Sequence, residues 1–328
     1  MKKKFSLLLC ALFLLGLLTA CGSGDSGPSD GSSYTSGNLT FTTGGDQGTY
    51  YALGSVLAGQ VSAVTGTTVT AITSGGSQAN ILALSDGDAQ LGFVQSDVMS
   101  YAYTGTNLFD TAVPGFSTVA ALYTEQVQIV TLDPNLKSVA DLEGKTVSVG
   151  DAGSGTYFNA VDILNAYGID AENDINPVYE SFGTSADSLQ DGKIDAAFVV
   201  AGAPTNAITS LSATKNVYLI SLDDDHINAL IASSPYYSRN VIPAATYALP
   251  GDVTTVAVGA VVVARDDASE EDVYNFVSGV FENLDAVAVS HAKGEELSLD
   301  FAASVTSVPY HPGAARYFAE KGFEVATK

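Results

Sequence analysis

Two glycine-rich turns carry the clearest chemistry in the chain. One is Gly44-Gly45-Asp46-Gln47-Gly48-Thr49-Tyr50-Tyr51, and about a hundred residues later Gly155-Thr156-Tyr157-Phe158 repeats its second half. Each turn follows a short apolar run and opens a helical pattern. The first N–H groups of such a helix have no partners within it, and with the positive end of the helix dipole they make a seat for a carboxylate or phosphate. Taken singly, either turn also reads as a tight strand-to-helix connection that uses glycine for its freedom at φ. The repetition favours the functional reading. Leu189-Gln190-Asp191-Gly192 with Ala196–Val199 likewise echoes Leu84-Ser85-Asp86-Gly87 with Leu91–Val94, in nearly the same register. This is a weak repeat at domain scale.

The elements that must hold these turns alternate. Leu39–Thr42, Thr67–Thr73 and Gln90–Val94 read as strands, with helices over Tyr50–Val64, from Ser77 to about Leu84, and from Gln95-Ser96-Asp97 to near Gly105. Ser77 is the expected N-cap of its helix. The pattern restarts with a strand over Thr146–Gly150 and a helix over Thr156–Tyr167. Val119–Leu132 and Thr254–Ala264 are long apolar runs suited to crossing between two lobes, and Ser269–His291 reads as one helix. Such alternation predicts α/β sheets with mainly parallel strands. Ligands in open α/β sheets bind beyond the carboxyl ends of the strands. The expected cleft is therefore lined by Gly44–Tyr51, Ser74–Asn80, Gln95–Asp97, Ser154–Tyr157 and Val200–Pro204.

Composition limits the partners. The 328 residues are 46% hydrophobic, enough for a sizeable core and better suited to two lobes than one. A formal charge of −23 argues against nucleic acid or anionic lipid as a partner. Lys2, Lys3 and Lys4 precede the apolar run Phe5–Leu18, which has the form of an export signal. It ends Leu18-Thr19-Ala20-Cys21-Gly22, which resembles the bacterial lipobox, so Cys21 is the expected lipidation site. Cys10 lies in the segment to be removed, leaving the mature chain without a disulfide or a thiolate metal ligand. Gly22–Gly37 is too polar to fold and reads as a tether.

The joint pattern resembles the TAXI proteins (TRAP-associated extracytoplasmic immunogenic proteins), the substrate-binding components of a class of TRAP transporters. It is carried by Gly44-Gly45-x-x-Gly48-Thr49-Tyr50-Tyr51, Ser74-Gly75-Gly76-Ser77-x-x-Asn80 and Gly92-Phe93-Val94-Gln95-Ser96-Asp97. The similarity continues through Ala121-Leu122-Tyr123-x-Glu125, Asp141-Leu142-x-Gly144-Lys145, Gly153-Ser154-Gly155-Thr156, Gly251-Asp252-Val253, Phe281-Glu282-Asn283-Leu284 and His311-Pro312-Gly313-Ala314. The resemblance implies an α/β, two-lobe type II periplasmic-binding-protein fold with crossing hinge strands. It implies capture of glutamate, glutamine, 2-oxoglutarate or a similar small carboxylate, delivery to a TRAP membrane permease driven by an ion gradient, and an extracytoplasmic protein held to the bacterial cell membrane by lipid. It implies no cofactor, no metal and no catalytic residue. The implied ligand contacts are Gly45, Gly48 and Tyr51, then Ser77 and Asn80, then Gln95 and Asp97, and Ser154, Gly155 and Thr156 across the cleft. Glu125, near the crossover, either holds a ligand ammonium or makes a structural hydrogen bond, and Gln128 is placed similarly. Ser77 and Asp97 also suit helix capping, and Tyr51 also suits packing. Asn80 has no capping task.

The expected organisation is residues 1–20 as signal peptide, 21–37 as lipidated cysteine and tether, 38–123 as lobe one, 124–252 as lobe two, and 253–328 as a return to lobe one. Arg239, Arg265 and Arg316 all fall outside the loop motifs, so neutral donors at helix starts must grip an anion. A lipoprotein serving an ATP-driven importer is the alternative, and an exported enzyme a more distant one. His226, His291 and His311 lack metal-ligand spacing, and Ser212-x-x-Lys215 lacks the supporting motifs of penicillin-recognising enzymes.

Overall fold

The computed structural model describes residues 35–107 and 109–328. The export signal, Cys21 and most of the tether lie outside these residues. The tether's last residues are held: Ser36 Oγ and Gly37 N each donate to Asp272 Oδ2 at 2.9 Å. No helix among the described residues is long and apolar enough to cross a membrane.

Among the described residues there are ten strands, β1 (Asn38–Thr42), β2 (Thr68–Ile72), β3 (Leu91–Gln95), β4 (Phe116–Thr131), β5 (Thr146–Ser148), β6 (Asn176–Val178), β7 (Ala196–Ala201), β8 (Tyr218–Leu219), β9 (Ser238–Ile242) and β10 (Val253–Arg265). They form one hydrogen-bonded sheet in the order β2-β1-β3-β10-β4-β7-β5-β6, with β8 added to β4 and β9 to β10. The order is nearly a palindrome. In one half β1 lies between β2 and β3 and is parallel to both, followed by antiparallel β10. In the other, β5 lies between β6 and β7 and is parallel to both, followed by antiparallel β4. The repeat in the sequence is thus a repeat in topology, with β1 and β3 answering to β5 and β7.

The two long strands belong to both halves. β4 pairs with β10 from Phe116 to Gln126 and with β7 from Gln126 to Thr131. β10 pairs with β9 over Val253–Ala257 and with β3 over Ala260–Ala264. Elements cover both faces of β4, so of its sixteen residues only Thr124 is partly exposed, and the strand is buried along its length rather than at alternate residues. The expectation of mainly parallel pairing therefore fails at β4 and β10, where the chain crosses between halves.

The helices are α1 (Thr49–Val64), α2 (Ser77–Asp86), α3 (Ser96–Thr104), α4 (Gly155–Ala166), α5 (Phe182–Gln190), α6 (Asn206–Ser212), α7 (Asp224–Ser233), α8 (Glu270–Phe281), α9 (Leu284–Ser290), α10 (Leu299–Ala302) and α11 (Pro312–Glu320). α1 buries Tyr50, Leu53, Leu57 and Val61, a helical stripe laid on Phe41 and Phe93. The single helix expected over Ser269–His291 is two. Asn283 leaves helical geometry at φ −131° and ψ 31°, and its amide caps α8 by donating to the Gly279 carbonyl at 3.0 Å. The first lobe's apolar side chains gather on Phe41, Phe93, Tyr317 and Phe318, and the second's on Phe198, Ile129 and Ile163.

Candidate functional site

Four helix starts meet between the lobes: those of α1, α2, α4 and α5. Each follows a strand whose carboxyl end faces the gap, so unpaired N–H groups point into one place. Gly76 is the N-cap of α2 at φ 101° and ψ −154°, a conformation open to glycine, which displaces Ser77 from its expected capping position. Ser77 begins the helix, and its Oγ accepts from Gln95 N at 3.1 Å. Ser154 caps α4, accepting from Tyr157 N at 3.2 Å.

These elements enclose a cavity of about 50 Å³. Gly45, Gly48 and Ser77 line it from one side, Ser154, Gly155 and Thr156 from the other, with Gln95 at the end of β3 and Glu125 on the crossing strand β4. Tyr51, Asn80 and Asp97 do not line it. Tyr51 is one residue, or about 100° of helix, from the inward face. Tyr50 lines the cavity in its place, its ring stacked on Phe93 with centroids 4.6 Å apart. Asn80 is buried behind the wall, its Nδ2 donating to the carbonyls of Thr43 and Phe93 at 2.7 Å each, which ties the end of β1 to β3. Asp97 lies in the first turn of α3, with Gln95 rather than Asp97 at the N-cap, and accepts from Asn159 Nδ2 of α4 at 2.7 Å. Gln128 is used within the second lobe, donating to Thr205 Oγ1 at 2.9 Å and accepting from Tyr247 OH at 2.6 Å.

Tyr50 and Gly76 line it within loops expected to form the cleft, though neither is an implied ligand contact, and Asp151 and Phe182 line it from outside those loops. The phase of α1 held the signal for Tyr50, because it shares the apolar stripe of Leu53, Leu57 and Val61 whereas Tyr51 does not.

The lobes are closed on one another. Ala79 N of α2 donates to Gly153 O at 3.1 Å, Ala207 N of α6 to Gln47 O at 3.3 Å, and Thr49 Oγ1 to Gly202 O at 3.0 Å. A Cβ at Gly155 would lie 2.0 Å from Gln95 Oε1 and 2.7 Å from Ser77 Oγ, so contact at this point depends on the absence of a side chain.

Glu125 is the cavity's main ionisable group. Burial pushes its carboxyl up to about 8, the Tyr50 hydroxyl at 2.8 Å and nearby Lys293 pull the other way, and Asp97 adds to the rise. At neutral pH it holds its proton. The arginines pair on the surface, Arg239 with Asp224, Arg265 with Asp267, and Arg316 with Glu270 and Glu271. Among the described residues no lysine or arginine lines the cavity. A small anion would thus be met by N–H groups, hydroxyls and the Gln95 amide, and an ammonium by Glu125 or Asp151.

The raised value has a sign. Between about 4.5 and about 8 the folded chain keeps a proton on Glu125 that the unfolded chain has released, so its contribution to stability is full below that window and is lost as pH rises through it. Glu125→Gln is expected to flatten the fall in Tm between pH 5 and 8. An unchanged slope would show that Glu125 is not the group responsible.

The histidines and the Ser-x-x-Lys serine have structural partners. His311 caps α11 by accepting from Gly313 N, His226 bonds Asp223 and stacks on Tyr167, and Ser212 Oγ donates to Thr209 O.

Two α/β lobes, each with a central parallel group and one antiparallel strand, joined by two crossing strands around a cleft of helix starts, define a type II periplasmic-binding-protein fold. Residues 41–322 match the NMT1-like family, and the chain belongs to it. The fold is shared with MatC from Rhodopseudomonas palustris, solved with bound malate, at 15% identity and a TM-score of 0.55 over 78% of this chain and 88% of that one. A Bordetella bronchiseptica RB50 protein overlays at 14% identity and a TM-score of 0.52, over 86% and 89% of the two chains. The periplasmic aliphatic sulphonate binding protein SsuA from Escherichia coli is 15% identical, with a TM-score of 0.47 over 88% and 91%.

Proposed function

We propose that this chain is an extracytoplasmic solute-binding lipoprotein of a TRAP-TAXI transporter. It captures a small carboxylate such as glutamate, glutamine or 2-oxoglutarate between its lobes and delivers it to a membrane permease. Lipid on Cys21 holds it to the membrane, and residues 38–123 with 253–328 form one lobe and 124–252 the other. The observation that carries this reading is the convergence of four helix starts on an interlobe cavity lined by Glu125 and Asp151 and, among the described residues, by no lysine or arginine. Helix starts favour negative charge, and their N–H groups are fixed before the ligand arrives. Gly45, Gly48, Ser77, Gln95, Ser154, Gly155 and Thr156 supply neutral contacts in this reading, and Tyr50 with Glu125 reads the far end of the ligand. Tyr51, Asn80 and Asp97 support the walls. Binding and release are the whole of its chemistry, with no catalytic step.

Calorimetry and thermal shift against glutamate, glutamine, 2-oxoglutarate and malate test the ligand class. A ligand that binds only the folded chain at about a hundred times its Kd adds about 2.7 kcal/mol to stability. Failure of every small carboxylate to bind or to raise Tm would overturn the reading. Glu125 also separates the candidates by proton balance. An amino acid whose ammonium meets Glu125 displaces its proton to the buffer, whereas an oxo acid leaves it in place.

A further inference from the structure

Beside the cavity, α3 of the first lobe meets α4 of the second through a buried polar cluster. Asn159 Nδ2 donates to Asp97 Oδ2 at 2.7 Å and to Tyr237 OH at 2.8 Å, and Tyr237 OH donates to Asp162 Oδ2 at 3.0 Å. The side-chain hydrogens of Asn159 and Tyr237 are then all used. Two acceptors remain buried with no partner, Asp97 Oδ1 and Asn159 Oδ1. Both Asp97 and Asn159 are fully buried, and among the described residues no cation pairs with Asp97. A fully buried carboxylate with no cation beside it is costly even where N–H groups face it, and adding a proton removes its charge and supplies a donor at once.

The contact lies on the interlobe seam. Around it, Tyr101 OH and Ser234 Oγ are 3.1 Å apart, Ser100 bonds Tyr236, and Phe158 of α4 packs on Tyr101 and Phe109. Parting the lobes would pull Asp97 away from Asn159 and bring water to it.

We propose that Asp97 and Asn159 form a proton-dependent latch, in which the lobes close with a proton on Asp97 and give that proton back to solvent when they part. Closure then consumes one proton, taken from water onto an Asp97 oxygen, and opening returns it. The groups facing Asp97 oppose one another: the backbone N–H groups of Val98 and Asp97 and the Asn159 amide hold its carboxyl down, and burial, helped by Asp162, outweighs them. Asp162 from α4 places negative charge near it, Glu125 from β4 is itself protonated over this pH range, Tyr237 reaches in ahead of β9, and Tyr101 comes from its own helix. Burial holds the closed-state carboxyl up at about 7, against an ordinary value of 3.8 once hydrated. Closure therefore weakens as pH rises from about 4 to about 7, by at most about tenfold per unit, and levels off above that.

Two amides report closure without any ligand. Ala79 and Ala207 lie in the first turns of α2 and α6, where no intrahelical acceptor exists, and their partners are Gly153 O and Gln47 O of the opposite lobe. NMR hydrogen exchange on the full chain, corrected for intrinsic pH dependence, reads both, with the Val262 amide of β10 as a check on the fold. The protection of Ala79 and Ala207 is expected to fall between pH 5 and 7 and to stay level above. Glu125 of the cavity also titrates, so the comparison is made in a Glu125→Gln background, where the fall should remain with Asp97 present; Asp97→Asn in that background keeps a donor and cannot titrate, so its protection should be flat. A flat profile in Glu125→Gln, or a fall that persists when Asp97→Asn is added to it, would each overturn the latch. Should Asp97→Asn lose Val262 protection, the carboxyl carbon shift of Asp97 in the wild-type protein decides. An ionised signal at pH 6 in the closed protein would overturn the proposal, and a protonated one would support it.

Discussion

Gly155→Val is expected to leave both lobes folded and keep them from closing. The glycine is the first residue of α4 and comes against Ser77 and Gln95 of the opposite lobe, with 2.0 Å between its missing Cβ and Gln95 Oε1. A swing of the Gln95 amide could relieve alanine, but valine adds two further methyl groups against Ser77 Oγ and the buried end of β3. Overpacking of this kind costs about 1–3 kcal/mol, and here it falls on the closed state alone, since the open lobes do not touch at this point. By the usual conversion the affinity for a captured ligand drops roughly 5- to 150-fold. Small-angle scattering should show a larger radius of gyration, with circular dichroism unchanged. A scattering profile identical to that of the native chain would remove Gly155 from the closing contact.

The second large effect lies in the core behind the site. Phe93 of β3 is fully buried, stacked on Tyr50 at 4.6 Å and on Phe41 at 5.0 Å. Phe93→Ala is expected to destabilise the fold by about 3–5 kcal/mol, the range for removing a buried aromatic ring without collapse of the space. It should also loosen Tyr50, whose hydroxyl is a partner of Glu125, so ligand binding should weaken even under conditions where the chain stays folded. Denaturant unfolding measures the first effect and calorimetry on the folded fraction the second. A loss below about 1 kcal/mol would mean that the ring stack contributes little.

Much of this arrangement was legible in the chain because its signals are local. The glycine turns, the strand-to-helix alternation and the long apolar runs of β4 and β10 each show within a dozen residues. The repeat at Gly155-Thr156-Tyr157-Phe158 even marked the topological equivalence of β1 and β5. What was not legible depends on contacts distant in sequence. Nothing near Asn80 shows that its amide is used by the carbonyls of Thr43 and Phe93, and nothing near Asp97 shows that Asn159, 62 residues on, faces it. Ser77 has the composition of an N-cap, but Gly76 takes the position because the backbone there adopts a positive φ. The break at Asn283 is a single-residue choice between continuing a helix and capping one, which apolar spacing does not register. Tyr50 against Tyr51 was decidable from helical phase alone.

The palindromic sheet also orders events during synthesis. β10 lies between β3 and β4, yet it is separated from both in the chain by the whole of the second lobe. Until residue 265 has emerged, β3 has no neighbour on that side, and the first eleven residues of β4 have none on theirs. The second lobe needs only the contiguous stretch from Gln126 to Ala257 to complete its own sheet. The half built from the middle of the chain can therefore finish first, and the half begun before it must wait with open strand edges. Such non-local closure makes folding slow and exposes edges to other chains, so a population of this protein is most prone to aggregate just before its final seventy residues arrive.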